Sequence, residues 1–445
     1  MREARMVRIA AGVVLCSLLM VTSAAAQERA ASLATLFEDI FGPHGLVVAS
    51  QDVQIDGTNH AAHFNSAFQS DFRLVNIALT SQLAAIPLPS PASGFTYRFD
   101  PSTGTFQRST RSFGPILADR GETIGKGKIA FGFSYQFFSF DHLDGVPLVS
   151  IPAVFTHDNF QAGGGRSDVV ATTNSIEATF SQFSGALTYG ISDRFDISVA
   201  VPIVRTRLSL LSNATIHRVG TGGNVQVHYF PDPSAIGGFG SARQFFAEGS
   251  AGGVGDIVVR GKTTVLREGP RALAVGADLR LPTGDEGNLL GSGATGIRPF
   301  AAFSTSLGRF APHANVGYQW NGESVIAGDV ASGIKADLPD HFLYALGGDF
   351  SVNERLSVVA DLGGQRVINS PRLSTRTTTA SGPGGTVTLP DLQFETSSYW
   401  VSSGAVGLKA NVARSVLIAF NLRFNIGNNG LTDRIAPLLG FEWAF

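Results

Sequence analysis

From residue 126 onward, apolar and polar side chains alternate with a period of two in segments of about ten residues, the length a tilted β-strand needs to cross a bilayer. In the segment 271–282, Leu273, Val275, Ala277, Leu279 and Leu281 fall on one face, and Gly276, Asp278 and Arg280 on the other. In 253–266, Ile257, Val259 and Val265 oppose Asp256, Arg260 and Lys262. In 415–426, Val416, Ile418, Phe420, Leu422, Phe424 and Ile426 oppose Asn421, Arg423 and Asn425. A slip of one residue would exchange the two faces. It would place Arg280 or Arg423 in lipid at about 2–4 kcal/mol each near the midplane, so the polar set is assigned to an enclosed interior.

Twelve strands follow from this pattern, at about 126–140, 174–190, 194–207, 253–266, 271–282, 296–307, 311–321, 340–351, 355–367, 398–411, 415–426 and 433–445. Connections alternate between short ones, such as 191–194 and 267–270, and longer ones beginning at Asp141, Leu208, Thr283, Gly322, Asn369 and Gly427. That alternation requires an even strand number with both barrel ends on the periplasmic side. Tyr318, Trp320, Tyr344, Trp400 and Trp443 stand near strand ends, where an aromatic girdle belongs. The expected fold is therefore all-β: a transmembrane antiparallel barrel of twelve strands spanning residues 125–445.

Residues 27–124 carry a different pattern. Leu33, Leu36, Phe37 and Ile40 have the spacing of a short amphipathic helix, and Phe64, Phe68, Phe72, Val75, Leu79 and Leu83 that of a longer one. A Pro-rich stretch at 87–91 and a hairpin-like segment at 95–106 follow. The segment is long enough to occlude the lumen of a twelve-strand barrel as a plug, and it could equally pack below the barrel as a periplasmic cap. A third arrangement adds the hairpin to the wall and gives fourteen strands.

Composition narrows the class. Residues 1–26 read as a secretory signal: Arg2, Arg5 and Arg8, an apolar run from Ile9 to Val21, then Ala24, Ala25 and Ala26. Cys16 lies in that run, so the mature chain holds no cysteine, and disulfides and thiolate metal sites are excluded. There are 52 glycines and 33 phenylalanines with 15% charged residues and a positive mean hydropathy of +0.15, yet no apolar run after the signal could span as a helix. In hydrocarbon every backbone polar group must be paired within the protein, which leaves a closed barrel. A net charge of −2 gives no electrostatic footprint for nucleic acid.

The interior charges are the candidate functional residues: Asp256, Arg260, Lys262, Asp278, Arg280, Lys409, Arg423 and Glu442 as lumen-lining groups. They can either pair across neighbouring strands or meet solute, and Asp256/Arg260 against Asp278/Arg280 is the expected lattice. The glycines of Gly291-Ser292-Gly293-Ala294-Thr295-Gly296 match a dinucleotide fingerprint, but a strand follows where a helix is needed, so the run reads as a loop. His60 with His63, and Asp285 with Glu286, are weak metal signals. His313 reads as lumen-facing, and no nucleophile elbow or zinc motif accompanies it. No enzyme activity, cofactor or metal is expected.

Phe445, closing an aromatic strand, resembles the C-terminal signature of bacterial outer-membrane barrels. Phe113-Gly114-Pro115, Thr123-Ile124-Gly125-Lys126-Gly127-Lys128, Tyr189-Gly190-Ile191-Ser192-Asp193-Arg194-Phe195-Asp196, Leu281-Pro282-Thr283-Gly284-Asp285-Glu286 and Ala314-Asn315-Val316-Gly317-Tyr318 resemble pieces of the outer-membrane family named for meta-pathway phenol degradation. That family is similar to transporters of long-chain fatty acids and aromatic hydrocarbons that carry an N-terminal hatch. The resemblance implies a channel in the cell outer membrane for passive uptake of small hydrophobic or aromatic compounds, gated by the N-terminal segment. The fatty-acid branch's Asn-Pro-Ala hatch signature is absent. A general polar-solute porin and a structural surface barrel are the alternatives. Expected partners are outer-membrane lipids and lipopolysaccharide, a small apolar or aromatic solute, and the barrel-assembly machinery through the strand ending in Phe445.

Overall fold

The computed structural model describes residues 32–42, 45–51, 64–65, 73–84, 94, 96–100, 105–108, 112–158, 160–330, 332–413 and 415–445. The signal segment, His60 and His63 lie outside them. Twelve strands form the wall: β1 (Ile129–Phe140), β2 (Val169–Gly190), β3 (Phe195–His217), β4 (Ile257–Glu268), β5 (Arg271–Leu281) and β6 (Gly296–Thr305), followed by β7 (Phe310–Asn321), β8 (His341–Asn353), β9 (Leu356–Gly382), β10 (Gly385–Ala413), β11 (Val416–Ile426) and β12 (Ile435–Ala444). Each pairs antiparallel with its sequence neighbour, and β1 pairs with β12 from Ala130↔Ala444 to Gln136↔Leu438, so the sheet closes and has no edge in the bilayer. The hairpin Tyr97–Asp100 with Thr105–Arg108 forms a sheet of its own, which fixes the wall at twelve strands rather than fourteen.

The phase of every strand follows from lipid on one side. On β5, Val275 and Leu279 are exposed outward while Asp278 and Arg280 are buried inward; on β11, Ile418, Phe420 and Phe424 face out and Asn421 faces in. Aromatic rings cluster at both ends. Phe131, Trp443 and Phe445 stack at the short-turn end, and Phe342, Tyr344 and Trp400 meet edge-on at the other. A closed barrel with an apolar outer belt between two aromatic girdles is an outer-membrane protein. No helix among the described residues is long and apolar enough to cross a membrane.

The strands differ from expectation where they leave the membrane. β2, β3, β9 and β10 run for 22, 23, 27 and 29 residues, far beyond the ~10 that a bilayer requires. The predicted loops from Leu208 and Asn369 are therefore strands that continue outward. Their Thr/Ser alternation sustains the ladder in water, with Thr379 facing Thr388 at 3.0 Å and Ser381 facing Thr386 at 2.9 Å. Asn369 adopts a left-handed φ of 49°, beside a register shift between Val367 and Ser370. A further strand, Ala242–Val254, pairs with the outer half of β3 and leads into β4. Within β4 a register shift between Thr264 and Leu266 leaves both Val265 and Leu266 facing lipid.

The tall strands give the N-terminal residues something to pack against. A short helix α1 (Leu36–Asp39) lies with Leu33, Phe37 and Phe41 in the apolar core of this outer region, where Phe41 sits edge-on to Phe155 and Phe245. The Ala34 amide donates to Gly287 O at 3.0 Å. A second helix, α2 (Arg73–Ala84), is tied to it by Asn76 Nδ2 donating to Ala34 O. These residues lie at the outer end of the barrel, not below it. Phe64 is not helical as its spacing suggested: with Asn65 it pairs as a strand with His157 and Thr156, because an extended neighbour offers its backbone ladder there.

Candidate functional site: the lumen

Glycine and the short acidic side chains of the wall allow the chain to cross the lumen between residues 112 and 124. At Gly121 an added Cβ would lie 2.4 Å from Ala272 O, so the backbone is pressed directly on the wall. A backbone that crosses a lumen carries N–H groups that must be satisfied. Asp361 Oδ2 accepts from the Ile116 and Leu117 amides at 2.7 and 2.8 Å. Asp349 accepts from the Gly114 amide at 3.2 Å and pairs with Arg120 at 3.3 Å. Asp196 accepts from the Ile124 amide at 2.9 Å, Ser304 from Gly121, and Ser357 from Phe113. His313 stands between the two carboxylates, with Nε2 2.7 Å from Asp361 and Nδ1 3.5 Å from Asp349.

The eight residues singled out from the sequence are placed as follows. Arg260 pairs with Asp278 through Nε at 2.6 Å and also holds Asp119 of the crossing segment, while Asp278 is shared with Arg298. Arg280 lies 3.6 Å from Asp256 and donates to Asn321 at 2.7 Å. Asp256 is engaged by the glycine-rich loop, accepting from the amides of Gly284 and Ser292 and from the Ser292 hydroxyl. Lys409 Nζ donates to Pro115 O at 2.6 Å, and Lys262 Nζ reaches Arg120 O at 3.4 Å. Glu442 accepts from the Gly94 amide at 3.0 Å. Arg423 donates through Nε to Ser403 Oγ at 3.0 Å. All eight thus bond within the protein, and Arg423 does so through one neutral hydroxyl of the wall.

Asp349, Asp361, Ser304 and His313, which contribute anchors or brace them, carried a legible signal. Asp361 alternates with outward Val358 and Leu362, and Asp349 with outward Phe350. Asp285, considered for a cation, accepts instead from the amide and side chain of Asn288.

Between the crossing segment and the outer region lies a cavity of about 130 Å³. Its floor is Ile116 and Leu117; its walls include Phe138, Phe140, Phe300 and Leu343, with Arg298, Arg423 and Gln365 contributing polar groups. A smaller cavity of about 80 Å³ adjoins Asp256, Asp278 and Arg280 and is lined in part by Thr80 of α2.

The family profile described as Putative MetA-pathway of phenol degradation matches residues 153–412, more than half of the chain. The chain belongs to this family. Among solved structures, the COG4313 outer membrane channel from Pseudomonas putida F1 is 13% identical, with 73% of this chain and 97% of that one covered at a TM-score of 0.44. A FadL homologue from Pseudomonas aeruginosa is 10% identical, with 72% and 89% covered at 0.29. The CymD monoaromatic hydrocarbon channel is 11% identical, with 72% and 89% covered at 0.29. No curated protein matches the sequence.

Proposed function

We propose that this family member is a passive uptake channel for small hydrophobic or aromatic compounds, and that residues 112–124 close its lumen at rest. The observation that carries the reading is an aromatic-lined cavity held directly above the crossing segment. At about 130 Å³ it is smaller than the few hundred Å³ usual for small-ligand sites, but close to the ~150 Å³ apolar cavity that accepts benzene. A solute of one ring would rest there until the segment beneath it moved. The family's link to phenol degradation, and the monoaromatic hydrocarbons named for one structural neighbour, agree in solute class.

Crosslinking tests the gate. A Cβ added at Gly363 would lie 3.6 Å from Leu117 Cβ, within the range for a disulfide, and the mature chain holds no competing cysteine. In cells expressing Leu117→Cys/Gly363→Cys, uptake of radiolabelled toluene should be low when oxidised and recover on reduction. Equal uptake in both states would refute the gate.

A further inference from the structure

We infer that the lumenal cavity selects monocyclic aromatics bearing a carboxylate, with the ring among Phe138, Phe140 and Phe300 and the carboxylate on the guanidinium of Arg423. This deepens the channel reading and rests on it for its physiological meaning.

The other lumenal cations are occupied within the protein. Arg120, Arg260, Arg280 and Arg298 each face a carboxylate, and Lys262 and Lys409 each reach a main-chain carbonyl. Arg423 is different. Among the described residues its only hydrogen bond is from Nε to Ser403, which leaves both terminal amino groups to the cavity it lines. The guanidinium is held in place, since Ser403 fixes one edge and Phe138 lies under it at 5.8 Å. A partly desolvated, fixed guanidinium with two open amino groups presents the fork that binds a carboxylate through parallel N–H···O bonds.

Two carboxylates also border the cavity, Asp119, which pairs with Arg260, and Asp433. The charge of Asp433 interacts with that of Arg423, but the two form no ion pair within 4.0 Å; its main-chain oxygen and Oδ1 accept from Asn425 Nδ2 at 2.9 and 3.2 Å. Asp433 lies in the connection before β12. The whole cavity, about 130 Å³, is close to one ring in volume, and Arg423 is among its lining residues. An unsubstituted hydrocarbon would leave the guanidinium without a partner.

Calorimetric titration of the full-length protein in detergent decides the matter, with sodium benzoate, benzyl alcohol and toluene as probes. Benzoate should bind the wild type more tightly than either neutral probe. Arg423→Gln should weaken benzoate about tenfold or more and leave toluene within about twofold, as expected for the loss of a charged hydrogen-bond partner. Asn425→Asp, which adds a negative charge to the wall of the same cavity and keeps Arg423, should weaken benzoate selectively and serves if Arg423→Gln does not fold. Benzoate binding that is unchanged in the variants, or no tighter than that of benzyl alcohol, would overturn the inference while leaving the channel reading in place. Failure of all three probes to bind would count against both.

Discussion

Asp361 tests the anchoring of the crossing segment most directly. One of its oxygens accepts from two consecutive amides, Ile116 and Leu117, and the other meets His313. Asp361→Ala removes the acceptor and leaves two enclosed N–H groups unpaired. Hydrogen bonds to a charged group contribute about 1.5–3 kcal/mol each, so the segment loses roughly 3–6 kcal/mol of its hold, with the lower end applying if water enters the space. At about 1.4 kcal/mol per factor of ten, that raises the population of locally detached segment by about 10²–10⁴. Hydrogen–deuterium exchange by mass spectrometry should show it as loss of protection over residues 112–124, with peptides from β5 and β11 unchanged. Asp361→Asn keeps one carbonyl acceptor without the charge and should fall between. If Ile116 and Leu117 exchange no faster in Asp361→Ala than in the wild type, these bonds do not hold the segment and the proposed gate is refuted.

Two further expectations concern stability. Arg260 bridges Asp119 of the segment and Asp278 of β5; Arg260→Met should cost about 3–5 kcal/mol in urea unfolding from lipid vesicles, and adding Asp119→Leu should restore part of it. Asp433 has its carboxyl raised above 3.8 by burial, only partly offset by Arg423. The folded state therefore holds this proton more tightly than the unfolded one, giving stability that is full below 3.8 and lost as pH rises through the raised value. Asp433→Asn should flatten that part of the stability–pH curve, and an unchanged slope would show that Asp433 does not titrate there.

Period-two alternation was enough to place the wall, because lipid outside and an enclosed interior penalise any slip of register at every strand. Where lipid ends, that penalty ends as well. Beyond Asn369 β9 still alternates but with Thr and Ser in place of most aliphatics, and beyond Leu208 β3 turns Ser209, Asn213 and Thr215 outward, so these continuing strands resembled loops. The hairpin partners Arg260 and Asp278 were legible from strand adjacency alone. Their third and fourth partners, Asp119 and Arg298, were not, since one comes from the crossing segment and the other from the next strand. The same holds for Lys409, whose acceptors Phe113 and Pro115 are main-chain carbonyls that carry no sequence signature. Phe64 misled because an apolar spacing of three to four residues cannot register an extended neighbour such as His157.

The course of the chain before β1 also constrains biogenesis. The described residues among 33–51 and 73–84 lie at the outer end, whereas Gly127 meets Gly190 at the inner turns and residues 112–124 cross the lumen. Threading such a strand through a finished cylinder would require dismantling the contacts of Asp349, Asp361 and Arg260 in turn. An order in which the sheet closes round residues 112–124 and the β1–β12 seam forms last would avoid this.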